Sequence, residues 1–164
     1  MVPDLNEIKL IGDKKKKENL RFISFLKEQD SKRIDSLVHE LNTFYSANID
    51  CTTCSNCCNH LRPILAESDI DILIKSLNIS REKFKRLYVI TDEEGDMLFK
   101  KIPCVFLSER KCSLYNSRPE DCRSYPHLHK NDFTSRLYGI FENYAICPIV
   151  FHVIEELKIR TDFR

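Results

Sequence analysis

Residues 51–60 read CTTCSNCCNH, and this stretch holds four of the eight cysteines in the chain. Cys51, Cys54 and Cys57 are separated by two residues each, and Cys58 follows Cys57 directly. Gaps of two residues let a tight loop turn so that successive thiolates face one centre, with main-chain amides left to donate to the sulfurs. The stretch therefore predicts a loop shaped around a metal ion or cluster.

Other uses of these thiols are open to such a sequence. The residues between the cysteines are polar, which is untypical of a packed core, and adjacent Cys57 and Cys58 could pair with each other only in a strained ring. A nucleophilic cysteine would suit Cys58 near His60, or Cys147 ahead of a predicted helix. Disulfides, packing and nucleophilic chemistry are thus the alternatives to metal binding.

The remaining cysteines lie farther along the chain, each beside a predicted turn: Cys104, Cys112, Cys122 and Cys147. Loops that are held by prolines can direct cysteines to a common centre, whereas cysteines inside strands usually cannot converge. Four plus four thiols suit either one site with supporting cysteines or two separate sites. The residues alone leave both arrangements open.

The spacing also bears on which metal is bound. Structural zinc usually takes two C-x₂₋₄-C pairs, and the second half of the chain has no such pair. Iron–sulfur clusters commonly use a C-x₂-C-x₂-C run with a remote cysteine, sometimes one followed by proline. Residues 51–57 with Cys147-Pro148 match that form, so the spacing slightly favours an iron–sulfur cluster over Zn²⁺.

Histidines and arginines near the cysteines are further candidates. Three histidines could add imidazole ligands, although eight thiols make none of them necessary: His60, His127 and His129. Two arginines bracket Cys122, and each could either stabilise neighbouring thiolates or form a surface ion pair with Glu120 or Asp121: Arg118 and Arg123.

Composition narrows the classes of function. The chain has 164 residues, 3 of them glycine and each isolated, which excludes a GxGxxG fingerprint and a phosphate-binding P-loop. A formal net charge of +1 argues against a nucleic-acid partner. The absence of an apolar leader or a long apolar run predicts a cytoplasmic protein without a membrane partner. The expected partner is a metal ion or cluster, and a protein partner is compatible with the sequence.

Apolar periodicity predicts a small α+β fold: a helical domain with a short β-hairpin and cysteine-rich metal-binding loops. Residues 1–18 are expected to form a flexible N-terminus, and residues 19–164 a single cysteine-cluster metal-binding domain. The predicted elements are helical segments over 20–45, 68–77 and 80–88, a hairpin over 88–101, an irregular stretch over 112–147 and a last helix from Pro148. Ser68 with Asp71 three residues later is expected to form a capping box at the start of the second segment, and Ser80 is expected to cap the third.

Taken together, the cysteine motifs resemble the YkgJ-type CxxCxxCC cysteine-cluster family. The resemblance covers roughly residues 50–150 and is carried by CxxCxxCC over 51–58, PCVFL over 103–107, CSLY over 112–115, RP over 118–119, CRSYP over 122–126 and CP over 147–148. It implies a zinc- or iron-chelating domain with all eight cysteines as ligands. Larger proteins that share the module include flagellin lysine methylases.

The sequence is therefore interpreted as that of a metal-binding protein to which no reaction and no catalytic residue is assigned. The alternative is an enzyme that uses the metal or cluster centre, with redox chemistry or protein methylation as its reaction. An open coordination position would favour the enzyme, whereas closed tetrathiolate geometry would favour a structural or carrier role. Removing the metal is expected to loosen residues 51–60 and 104–147.

Overall fold

The computed structural model describes residues 4–164. In chain order, its regular elements are α1 Leu5–Lys14, α2 Lys16–Lys27, α3 Ser31–Asn48, α4 Cys51–Cys54, α5 Asn56–His60, α6 Glu67–Leu77, α7 Arg81–Tyr88, β1 Val89–Thr91, β2 Met97–Phe99, β3 Leu107–Ser108, β4 Lys111–Cys112, α8 Glu120–Ser124, α9 Leu137–Glu142 and α10 Pro148–Arg160. Strands β1 and β2 pair antiparallel, as do β3 and β4. The predicted α+β class is confirmed.

The chain divides into two compact units. The first contains residues 4–50 and Pro126–Arg164, and the second contains Cys51–Tyr125. The single metal-binding domain expected over residues 19–164 stays a prediction. So does the mobility expected of residues 1–18, most of which lie in α1 and the start of α2.

In the first unit, α3 packs against α10. The buried residues of α3 recur with helical spacing at Ile34, Val38 and Leu41. Pro148 occupies the first turn of α10, as its fixed φ and missing amide hydrogen favour. Most of α10 is buried, including Lys158, so this helix is the centre of the unit.

The helical segment predicted over residues 20–45 is two helices, because Asp30 begins a new one. Its Oδ1 accepts a hydrogen bond of 2.7 Å from the Arg33 amide, which is the usual N-cap arrangement. In the same unit, a Cβ placed on Gly12 would lie 2.6 Å from Ala145 Cβ. The chain therefore tolerates no side chain at this point of α1.

Lys158 is buried, with 6% of its surface exposed, and carries a positive charge into the first unit. Its Nζ donates hydrogen bonds of 2.7 Å each to Glu18, Asn19 and Glu155. Burial by itself would raise the pKa of Glu155, but hydrogen bonds from Lys15, Lys158 and Tyr144 outweigh it and lower that pKa. The network satisfies a charge that would otherwise be costly to bury.

The second unit has its own core, formed by side chains of α6, α7, the first hairpin and the loop before β3: Leu65, Ile70, Leu73, Phe84, Phe99 and Phe106. The hairpin turn is fixed by Asp92, whose Oδ1 accepts from the Glu94 and Asp96 amides, and by Gly95 at φ 90°. Ser80 caps α7 as the sequence predicts, since its hydroxyl accepts from the Lys83 amide.

Two local predictions in the second unit and the segment after it are wrong. Helix α6 begins at Glu67 rather than after Ser68, and Asp69 instead of Asp71 bonds back to the amide of the cap residue, Ala66. The stretch 112–147 was expected to be irregular, yet it contains α8 and α9. The two helices have 5 and 6 residues, less than two turns each, which is too short to show a periodic pattern.

Asp69 is buried and links α6 to α8. Its Oδ2 accepts a hydrogen bond of 3.0 Å from the Ala66 amide, and its Oδ1 accepts one of 2.9 Å from the Glu120 amide. Asp121, the next residue of α8, accepts a hydrogen bond of 3.0 Å from the Ile64 amide. These bonds fix the start of the helix that carries Cys122.

Replacing Lys158 with alanine leaves two carboxylates without their buried partner and should lower the free energy of unfolding by about 3 kcal/mol. The matched control is Lys16→Ala, whose ion pair with Asp13 is exposed and is expected to contribute about 0–1 kcal/mol. Urea unfolding of both variants checks this. Equal losses in the two variants would contradict it.

The same network predicts a pH dependence. Because folding lowers the pKa of Glu155, its contribution to stability is present above the ordinary glutamate value of about 4.3 and is lost as the pH falls through the folded value. Lys158→Ala should weaken this acid sensitivity, as urea midpoints measured at several acidic pH values would show.

Replacing the buried Asp69 with alanine removes the acceptor of two partly buried amides and should cost about 2 kcal/mol of stability. Asp71→Ala is the matched control on the same helix, where an exposed ion pair with Arg81 is expected to contribute less than about 1 kcal/mol. Urea unfolding with tyrosine fluorescence would separate the two. A similar effect of both changes would exclude the proposed role of Asp69.

Candidate metal centre

The second unit contains all the predicted site cysteines except one. Cys51 and Cys54 are the end residues of α4, and Cys57 and Cys58 lie in α5. The later three lie in the loop before β3, in β4 and in α8: Cys104, Cys112 and Cys122. Cys147 belongs to the first unit, where it is buried at the start of α10. All eight are free of disulfide bonds.

Ser55 separates the two short helices of the CxxCxxCC stretch. It adopts the left-handed conformation with φ 48°, which is uncommon for a residue other than glycine. Its amide donates a hydrogen bond of 3.2 Å to the Cys51 carbonyl, and its carbonyl accepts one of 3.1 Å from the Cys58 amide. The backbone of the stretch thus turns at Ser55 while staying hydrogen-bonded on both sides.

Main-chain contacts connect this stretch to the later cysteines. The Cys104 amide donates a hydrogen bond of 2.8 Å to the Cys58 carbonyl. Cys112 pairs with Leu107 in the β3–β4 hairpin, and α4 packs against β4. Segments distant in sequence are brought together in this way.

Main-chain amides also point at sulfur atoms in the second hairpin. Burial raises the pKa of the Cys104 thiol, and the amides of Phe106 and Leu107 oppose that shift by hydrogen bonding to its sulfur. Burial likewise raises the pKa of Cys112, against a hydrogen bond from the Leu114 amide. Amides that donate to sulfur stabilise a thiolate, which is the form that binds metals.

Four thiols lie within electrostatic range of one another. Burial, followed by the charges of Cys58, Cys104, Asp121 and Cys112, raises the pKa of Cys122 to about 12. Cys122 therefore ionises least readily while its neighbours carry charge and no cation is present. A bound cation would remove that obstacle.

In contrast to Cys122, Cys58 has a pKa below the ordinary value of a thiol. A hydrogen bond from the Cys57 thiol lowers the pKa of Cys58 to about 7, against the effect of burial and with help from the positive charge of Arg118. The guanidinium of Arg118 lies 3.6 Å from the centroid of the Tyr115 ring, and its Nε donates to the Tyr115 carbonyl. The ring and the carbonyl hold the charge close to the thiols.

Arg123 differs from Arg118 in its contacts. It forms a surface ion pair with Glu120, with 2.8 Å between Nη2 and Oε2. Of the two alternatives that the sequence left open, Arg118 follows the thiolate-stabilising one and Arg123 the ion-pair one. What distinguishes the two is the nearness of Arg118 to Cys58, which is distant in sequence.

In the part of the chain that the structure describes, the candidate ligand side chains do not form a coordination sphere. Within residues 4–164, no three His, Cys, Asp or Glu side chains form a group that could hold a metal ion. His60 Nδ1 is 2.9 Å from the Asn56 carbonyl, to which it donates, whereas His127 and His129 lie in the first unit. The eight-cysteine ligand set stays a prediction.

Asp69 and Ser55 belong to this region, although neither was identified as a site residue from the sequence. Asp69 positions the helix with Cys122, and a carboxylate in the first turn of a helix is its only sequence signature. Ser55 is 7% exposed, and its hydroxyl has no hydrogen-bond partner in the part of the chain that the structure describes. A serine at the centre of a cysteine motif is the signal that could have identified it.

In the metal-free protein, iodoacetamide should modify Cys58 before Cys104, Cys112 and Cys122, because thiolates react and thiols do not and Cys58 has the lowered pKa among these four. Modification of Cys58 should reach half its maximal rate near pH 7. Arg118→Gln should move that midpoint to higher pH, whereas the control Arg123→Gln should leave it unchanged. Mass spectrometry of the alkylated peptides measures this, and equal shifts in both variants would contradict it.

Comparison with known protein families gives one match. The chain matches the CxxCxxCC family, described as "Putative zinc- or iron-chelating domain", over residues 50–139. The match spans the whole second unit and more than half of the chain. Searches of curated proteins and of solved structures give no significant match. No helix in residues 4–164 has the length and apolar character to cross a membrane. The chain belongs to the CxxCxxCC family.

Proposed function

We propose that this protein chelates an iron–sulfur cluster or a zinc ion through its cysteine thiolates, with the iron–sulfur cluster favoured. The observation that carries the proposal is the group of thiols formed by Cys58, Cys104, Cys112 and Cys122, whose charges act on one another although they come from three separate segments. Ionising all four of these thiols is unfavourable without a cation and becomes favourable when a cation is bound among them.

The residues present suit a soft metal centre. Thiolates select zinc, copper(I) and iron–sulfur clusters over hard cations such as magnesium. The amides of Phe106, Leu107 and Leu114 and the guanidinium of Arg118 supply the positive partners that a thiolate site needs around it. When bound, the metal would supply charge neutralisation and a fixed connection among the loops.

The iron–sulfur proposal rests on the C-x₂-C-x₂-C run of Cys51, Cys54 and Cys57, for which the remote Cys147-Pro148 is the fourth cysteine in the typical pattern. Zinc is the second candidate. The interacting group of four thiols named above suits it, because four thiolates complete a closed zinc site as well as they hold a cluster. No reaction is assigned to either centre.

Anaerobic purification, metal analysis and an absorption spectrum test the proposal together. A brown protein that contains iron and inorganic sulfide would support the cluster. A colourless protein that contains stoichiometric zinc would support the second candidate. A protein with neither metal and no titratable thiols would exclude metal binding and indicate disulfides.

Single Cys→Ser variants test the ligand set. All eight variants should lower the metal content, because each is proposed to remove a ligand, whereas the control Ser117→Ala should retain it. Ser117 lies in the second unit, where its hydroxyl is 2.6 Å from that of Ser76. Variants that retain full metal content would remove their cysteines from the ligand set.

Loss of metal should also loosen the loops that hold the cysteines. Hydrogen exchange of the amides in residues 51–60 and 104–147 is expected to accelerate in the metal-free protein, while helix α10 should stay protected. Exchange that is unchanged in both loops would contradict a role of the metal in shaping them.

A further inference from the structure

The Ser55 hydroxyl is the polar group of the cysteine stretch whose position lacks an explanation. Ser55 is 7% exposed, and its Oγ has no hydrogen-bond partner within residues 4–164. Buried polar groups in proteins are nearly always paired, so an unpaired one calls for a physical reason. At this position, the reason we consider is the chemistry of the neighbouring cysteine thiols.

The backbone holds Ser55 between the cysteines. Its amide bonds to Cys51 and its carbonyl accepts from Cys58, so the residue is anchored on both sides. The Asn59 side-chain amide also donates to the Ser55 carbonyl, at 3.3 Å. With φ at 48°, this conformation would suit glycine better than serine. The serine side chain is therefore present despite a backbone that disfavours it.

Thiols and thiolates differ as hydrogen-bond acceptors. A neutral thiol is a weak acceptor, whereas a hydrogen bond to an ionised group is roughly twice as strong as one between neutral groups. Metal binding requires the thiolate form. The partner that a buried hydroxyl needs is thus a much better acceptor in the loaded protein than in the metal-free protein.

We propose that Ser55 Oγ–H donates a hydrogen bond to a metal-bound thiolate sulfur of the CxxCxxCC stretch, so that this hydroxyl is satisfied only when the site is loaded. Ser55 is then a positioning residue that makes metal affinity depend on a hydroxyl outside the ligand set. The inference rests on the metal-chelating function proposed above.

The proposal predicts effects of opposite sign in the two states for Ser55→Ala. In the metal-free protein, the variant removes an unsatisfied buried hydroxyl and should raise the urea midpoint of unfolding. In the loaded protein, it removes a hydrogen bond to the thiolate and should weaken zinc binding about tenfold or more, as changes around metal ligands typically do. Zinc affinity is measured by competition with a chelator.

Ser113→Ala is the matched control, because Ser113 also follows a cysteine directly. Its hydroxyl already has a partner, the Phe106 carbonyl, at 3.1 Å. This variant should therefore lower the metal-free midpoint or leave it unchanged, and it should keep the zinc affinity of the wild-type protein.

The possible results distinguish the absence of a Ser55 hydrogen bond from the absence of metal chelation. Wild-type protein that binds zinc, together with Ser55→Ala that binds it equally well, would overturn the inference and leave metal chelation standing. A metal-free midpoint that falls in Ser55→Ala would also overturn it, because the hydroxyl would then already be satisfied, by water for example. Failure of wild-type and Ser113→Ala proteins to bind any metal would instead overturn the proposed function itself.

Discussion

Partly buried thiols held near one another resist ionisation together, and this constraint governs the second unit. Each thiolate raises the pKa of its neighbours, and burial adds to the same effect, most strongly at Cys122. The fold offsets only part of that cost, with amides directed at Cys104 and Cys112 and with Arg118 near Cys58. The remaining cost is one that a cation bound among the thiols would remove.

Of the cysteines in residues 51–125, Cys104 packs against the apolar core of the second unit, and the others contribute no side chain to it. The aromatic and aliphatic core of the second unit lies in α6, α7 and the first hairpin, with Phe106 joining it from the loop that carries Cys104. Asp69 and Asp121 fix α8 through hydrogen bonds that their carboxylates accept from main-chain amides. The cysteine loops can therefore adjust around a centre while the core keeps its shape.

The features predictable from sequence were those with strong local signals. Ser80 and Pro148 mark the start of helices with a known preference, and the Asp92 to Asp96 turn between apolar runs indicates a hairpin. The cysteine motif identified the family because its spacing is rare. Short helices such as α8 escaped prediction, since five residues cannot show helical periodicity. Arg118 and Arg123 each contact a residue three positions away, Tyr115 and Glu120 respectively. The nearness of Arg118 to Cys58, in contrast, depends on the tertiary fold, which a single sequence does not reveal.

The division of the chain has a consequence for the order of events during synthesis. The first unit packs α3 against α10, and these helices lie on opposite sides of residues 51–125 in the sequence. A ribosome delivers the cysteine-bearing unit whole before α10 exists, and domains generally fold as they emerge. The cysteines of the second unit are thus the first to be available together in the nascent chain. The packing of α3 against α10 in the first unit can form only after the whole second unit has been synthesised.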